Sequence, residues 1–191
     1  MAFTRPQQAL HRHSFDYRDK FMTTGAQKFA WLVSMALYAL CWVLPILDEY
    51  IGYEGARLAH REFWKFLAEG RSVDTFSALF EIIFISVGWL ANELYLLGLV
   101  AFLFQRRIAV RLFALALGIM ISWHLAFLDE FPLLVGYWFW VLAGGIAFYL
   151  AALRRAEDSG VPTAKIITEP VTLALLLLPV LNALIGADIH V

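Results

Sequence analysis

Between Trp89 and Arg155 the chain carries two long apolar runs and the end of a third, divided only by Gln105-Arg106-Arg107 and by Asp129-Glu130. Hinges that short leave almost no polar surface to cover so much apolar sequence, so lipid is the expected solvent. The whole chain agrees: 61% of its 191 residues are hydrophobic and 16% charged, against about half and a quarter in soluble domains. One helical crossing needs about 20 apolar residues. Residues 29–47 carry no charge, 76–104 carry Glu81 and Glu93, 108–128 carry Arg111, and 131–153 and 170–187 carry none. The expected fold is an all-α integral membrane protein of five transmembrane helices, at about 29–47, 82–104, 108–128, 133–153 and 170–187. These form a single transmembrane domain over 29–187, after a cytoplasmic arm (1–28) and before a short outer tail (188–191).

A net charge of −1 excludes a strongly basic nucleic-acid binder. With Cys41 as the only cysteine, no intrachain disulfide can form. The first apolar run starts after 28 residues and leads into Asp48-Glu49 rather than a small-residue cleavage site, so it reads as a retained span. Cytoplasmic loops carry excess Lys and Arg. If five spans alternate, Arg5, Arg12, Arg18, Lys20, Lys28, Arg106, Arg107, Arg111, Arg154, Arg155 and Lys165 share one side. Only Arg57, Arg61, Lys65 and Arg71 fall on the other, among Asp48, Glu49, Glu54, Glu62, Glu69 and Asp74. The expected topology is N-terminus inside, C-terminus outside.

Three segments depart from plain crossings. On the outer side, Ala56, Ala59, Phe63 and Leu67 recur at helical spacing beside Trp64, which predicts an interfacial amphipathic helix over about 53–69. Arg57, Arg61 and Lys65 stand one turn apart with like charge, so its apolar face and not electrostatics holds it. The run 76–104 would be about 43 Å long as one helix, longer than a hydrocarbon core of about 30 Å. It is expected either to extend outward or to break near Ser86 to Gly88, with Trp89 as interface anchor. Pro179 falls mid-span in the fifth helix and should kink it or dock where neighbours absorb the freed carbonyl. An internal echo pairs Trp42-Val-Leu-Pro-Ile-Leu-Asp48-Glu49-Tyr50 with Trp123-His-Leu-Ala-Phe-Leu-Asp129-Glu130-Phe131. It reads as duplicated helix pairs or as convergence of Trp and acids at the same interface.

Candidate chemistry is sparse. Glu93, beside Asn92, enters the second crossing only about 6 Å deep. An acid inside a span is a functional suspect, here for proton or cation handling, and the plainer reading is a wet acid near the outer face. His124 is the only histidine inside an expected span, and with Asp129, Glu130 and His190 it falls on the outer side. Imidazole and carboxylate suit a metal, yet no His-x-x-x-His or Glu-x-x-His spacing and no cysteine partner supports one. A second mid-span histidine for a bis-histidine haem is also missing. In the fourth span Ala143 and Ala147 have small-xxx-small spacing that permits close helix packing. No phosphate loop, nucleophile elbow or Cys–His pair is present.

At Gly52-Tyr53-Glu54, Trp89-Leu90-Ala91-Asn92 and Gly136-Tyr137-Trp138-Phe139-Trp140, the chain resembles a loose group of uncharacterised bacterial multi-span membrane proteins. That group shares a Gly-Tyr/Trp-Glu segment, a Trp-Leu-Ala-Asn helix start and a later Gly-Tyr-x-x-Trp helix start, in this order. Where its members have Pro after Trp-Leu-Ala-Asn, this chain has Glu93. The resemblance implies a multi-pass protein of the bacterial inner membrane and transfers no catalytic residue. The expected role is non-enzymatic, an accessory or scaffold subunit of a larger membrane complex. Membrane lipids and other integral membrane proteins are its expected partners, with bound lipids and no cofactor. A small transporter or channel using Glu93 and the outer acids is the alternative, and a metal- or cofactor-binding membrane enzyme the second.

Overall fold

The computed structural model describes residues 24–47, 50–69, 76–104, 106–126 and 134–187. Among them are seven helices and one short antiparallel hairpin: α1 (Gly25–Cys41), β1 (Pro45–Leu47), β2 (Tyr50–Ile51), α2 (Gly52–Glu69), α3 (Phe76–Phe104), α4 (Arg106–Ala126), α5 (Val135–Ser159), α6 (Thr163–Ile167) and α7 (Pro170–Ala187). The all-α expectation holds. One helix, Val135–Ser159, is long and apolar enough to cross a membrane among the described residues, and Gly88–Phe104 and Pro170–Leu184 are apolar but shorter.

Helix α1 starts where Thr24 caps it, its hydroxyl accepting from the Gln27 amide at 3.3 Å. It ends at Cys41, six residues short of the expected 47. The reason is Pro45, which has no N–H to give the Cys41 carbonyl. The chain tightens instead through Val43 N to Leu40 O (3.1 Å) and turns into β1. The hairpin pairs Pro45 with Ile51 and Leu47 with Tyr50. Leu134 N donates to Ile46 O at 3.1 Å, which fastens the hairpin to the entry of α5. This also separates the two halves of the internal echo: Trp42 to Leu44 turn where Trp123 to Leu125 remain helical.

Helix α2 forms as expected from its periodicity, with Arg57, His60, Arg61, Trp64 and Lys65 exposed. It packs on α3 and the hairpin. Helix α3 is unbroken over 29 residues, so the run does not break near Ser86 to Gly88. Helix α5 runs past the expected 153 to Gly160, whose positive φ of 65° closes it in the left-handed conformation. A short α6 then leads to α7, where Glu169 precedes Pro170 and its carbonyl accepts the Leu173 amide at 2.9 Å. Proline in the first turn forfeits no hydrogen bond.

The bundle is built around α4, which contacts α3, α5 and α7, while α1 packs on α5. Ala109, Val110, Phe113, Ala114, Ala116, Ile119 and Met120 of α4 are all buried, a helix covered on nearly every side. Small residues set the spacing. Ala143 and Ala147 of α5 are fully buried inside the fold, so their spacing serves internal packing. At Gly118 the α4 backbone meets the carbonyls of Leu175 and Leu176 on α7 so closely that a Cβ would overlap the Leu176 oxygen. Leu175 lies four residues before Pro179, and its carbonyl is the one that the proline leaves without a helical donor. Docking at Gly118 sets that carbonyl close against the α4 backbone.

Replacing Gly118 by Val should push α7 off α4. The expected loss is on the order of 1–3 kcal/mol, the usual cost of overpacking. Thermal unfolding of the purified variant would read it as a lowered midpoint, and an unchanged midpoint would mean the contact is not close.

Candidate functional site

Buried α1 residues Trp31, Ser34, Tyr38 and Cys41 make one stripe facing the bundle. Two of them enter a polar network that joins three helices. Ser34 Oγ donates to the Ala143 carbonyl of α5 at 2.9 Å, so the Tyr95 hydroxyl of α3, 2.8 Å away, donates to Ser34. One turn further out, Asn92 of α3 takes two donors on Oδ1: the Tyr38 hydroxyl at 3.3 Å and the Trp140 indole N–H at 3.0 Å. An indole N–H can only donate, which fixes the amide orientation. The Tyr38 and Tyr95 rings stack at 4.2 Å between centroids. On the same side the Tyr137 hydroxyl donates to the Met120 carbonyl at 2.6 Å, and Trp123 meets Trp140 edge-on at 6.2 Å.

Above this network lies a cavity of about 40 Å³, room for a few waters. Aromatic rings of Trp42, Trp89, Trp123, Tyr137 and Trp140 line it, with Asn92 as the polar group, and Gly52, Gly55 and Ala56 of α2 close one side. His60 of α2 lies 5.0 Å from the Trp89 ring and accepts the Trp64 indole N–H at 2.7 Å, so α2 is seated on α3 at Trp89. The chemistry on offer is recognition of a small group by aromatic faces and one amide.

The other end of the bundle is charged. Glu169 faces Arg155 (2.7 Å), Arg111 (3.3 Å) and Arg107 (3.4 Å). Arg106 pairs with Asp158 at 3.0 Å and lies 5.6 Å over the Phe102 ring. Arg154 is buried, with Nη1 on Glu157 Oε2 at 2.7 Å, and Gln27 Nε2 of α1 donates to Glu157 Oε1 at 2.7 Å. Between the two ends runs a column of aromatic contacts: Tyr38–Tyr95, Tyr95–Phe113 (5.6 Å), Phe113–Trp31 (6.0 Å) and Trp31–Phe102 (4.6 Å).

The residues singled out by sequence divide between these places. Asn92 is the node of the network. Glu93 is exposed, does not line the cavity, and has no ion pair among the described residues. His124 is helical, with nothing described of its side chain, and Asp129, Glu130 and His190 lie outside the described residues, as do Asp48, Glu49 and Asp188. Among the described residues no three His, Cys, Asp or Glu groups gather as metal ligands. Sequence reasoning missed Ser34, Tyr38 and Tyr95. The signal was present: residues 31, 34, 38 and 41 repeat at helical spacing, as do 92 and 95. It also missed Glu169, which stands in the connection between α6 and α7. No protein-family profile, curated protein or solved structure matches the chain.

Two outcomes follow from this geometry. Asn92→Leu leaves the Trp140 N–H and the Tyr38 hydroxyl without their acceptor, at a cost of about 1–3 kcal/mol. In thermal unfolding, Tyr38→Phe added to Asn92→Leu should then cost less than the two losses summed, and strict additivity would contradict a shared node. The second concerns acid. The hydrogen bond from Arg155 holds the Glu169 carboxyl below the ordinary glutamate range; burial opposes this, and the charges of Arg155, Arg111 and Arg107 assist. A depressed folded-state value contributes stability above the unfolded value, lost as pH falls through the folded one. The unfolding midpoint of the wild type should drop more steeply below the ordinary glutamate range than that of Glu169→Gln, and parallel curves would remove Glu169 from the acid response.

Proposed function

We propose that the chain is a five-span protein of the bacterial inner membrane, N-terminus inside, that serves as a non-enzymatic accessory subunit packed against other integral membrane proteins and lipid. The observation that carries this reading is the distribution of side chains. Large apolar residues stand exposed along α1 (Phe29, Leu32, Met35), α3 (Leu96, Leu97, Val100), α5 (Trp138, Leu142, Tyr149) and α7 (Leu177, Leu178, Leu181), while Ser34, Ser122, Thr172 and Arg154 are buried. Contiguous exposed apolar surface of this extent marks contact with lipid or partner. In lipid, helices associate through close packing and interhelical hydrogen bonds, and both are present at Gly118 and at Asn92.

Three features favour this topology. The arginines of the α3–α4 hinge and of the α5 C-terminus gather at one end, with the start of α1. Trp89, Trp123, Tyr137 and the hairpin gather at the other, as aromatic residues do at a membrane interface. The amphipathic α2 at that end suits an interfacial position. The non-catalytic part rests on the commitment of four interior hydroxyls, Ser34, Tyr95, Ser122 and Tyr137, to each other or to backbone carbonyls. Glu93, on the exposed face of α3, gives the transport alternative no path through the bundle.

Alkaline carbonate extraction should leave the protein in the membrane pellet. Purification from native membranes in mild detergent should recover it with another integral membrane protein in fixed ratio. Release into the carbonate supernatant would overturn the membrane reading, and a lone monodisperse monomer the subunit reading.

A further inference from the structure

The arginine-lined end of the bundle contains one guanidinium whose surroundings do not complete it. Arg154 is 4% exposed. Its Nη1 is held by Glu157, but Nε and Nη2 have no hydrogen-bond partner. These two donors are not scattered. Nε–H and the adjacent Nη2–H lie side by side on one edge of the planar guanidinium, the fork that receives two oxygens of a carboxylate or phosphate. A buried, unsatisfied fork is costly, and the geometry of its missing partner is specified: two coplanar acceptor oxygens carrying negative charge.

Charge at the rim points the same way. Five guanidinium groups (Arg106, Arg107, Arg111, Arg154 and Arg155) face three carboxylates, Glu157, Asp158 and Glu169. Glu157 does not serve the fork: one of its oxygens takes Arg154 Nη1 and the other Gln27. Asp158 and Glu169 are engaged by Arg106 and by the other three arginines. Among the described residues these groups leave excess positive charge at the level where α1 begins and α5 ends, which under the membrane reading is the level of headgroups. Basic pockets between helices on that side are suited to anionic lipid headgroups.

We propose that the Nε–Nη2 edge of Arg154 seats the phosphate group of an anionic phospholipid. The inference rests on the membrane reading of the bundle. Two oxygens of the phosphate take the fork, and the unbalanced charge of the rim supplies the preference for an anionic over a zwitterionic headgroup. Lysine at 154 would keep the charge and lose the fork.

The test uses the full chain in nanodiscs, with phosphatidylglycerol diluted into phosphatidylcholine, and native mass spectrometry counting retained lipids. Wild type should retain one phosphatidylglycerol in preference to phosphatidylcholine. Arg154→Lys should lose about tenfold in that preference, whereas Arg107→Lys, at a position 63% exposed on the rim, should keep it. Millimolar inorganic phosphate competing the lipid away would support the oxyanion seat and identify free phosphate as a second source. Should Arg154→Lys fail to fold, the wild-type lipid preference and its competition by phosphate still decide. A chain that stays in the membrane but holds both lipids equally, or an Arg154→Lys variant with unchanged preference, overturns the proposal. A chain that needs no membrane or detergent fails at the earlier step instead.

Discussion

Asn92 Oδ1 is the point on which the assembly of three helices depends. Two donors from two other helices, Tyr38 on α1 and Trp140 on α5, converge on one oxygen of α3. In an apolar interior neither donor has a ready alternative, so the positions and rotations of all three helices must satisfy one atom together. The Ser34–Tyr95–Ala143 set repeats the device one turn inward. Together they fix the rotation of α1 about its axis, which packing alone defines poorly because its exposed and buried faces are both apolar. Each bond is modest, about 0.5–1.5 kcal/mol net. Their weight lies in selecting one arrangement over near-equal ones.

The aromatic column follows from that arrangement. With Tyr38 rotated toward Asn92, its ring must stack on Tyr95. Tyr95 then meets Phe113 of α4, and Trp31 bridges Phe113 to Phe102. The column ends where Arg106 lies over Phe102. The cavity at one end and the arginine rim at the other are thus joined through rigid ring contacts along the inside of the bundle. Trp31 is as much a part of this as Asn92, although it makes only apolar contacts within the column.

Much of this was legible in the chain. The periodicity of α2 and the boundary between α3 and α4 could both be read from residue spacing. Asn92 stood out as a polar residue in an apolar run. What could not be read has identifiable physical causes. Pro45 ends α1 at Cys41 because of one missing backbone donor, and an apolar run that continues through Leu47 gives no sign of it in hydropathy. Glu93 drew more notice than Asn92 because it is charged, whereas helix rotation puts Asn92 inside and Glu93 out; one residue is a 100° turn. The role of Glu169 depends on α7 docking beside the α4 start, a contact 58 residues apart in sequence for Arg111. No local pattern encodes such a meeting.

The two sides of the bundle are held by different forces, and this difference is itself a design. On one side α1 is bound to α3 and α5 mainly by buried or half-buried hydrogen bonds between neutral groups, with Gln27 on the Glu157 carboxylate at its exposed end. On the other, α7 is bound to α4 by backbone contact at Gly118 and, at its N-terminus, by Glu169 among three arginines. Glu169 is 22% exposed, so its attraction is weakened by salt and by acid as the neutral network is not. A carboxylate immediately before α7 also meets the positive end of that helix, which adds to its hold on the same few residues. Loss of charge at Glu169 would thus loosen the start of α7 and leave the α1–α3–α5 side unchanged. The chain can therefore have a responsive end, at the arginine rim, without giving up the fixed geometry around Asn92.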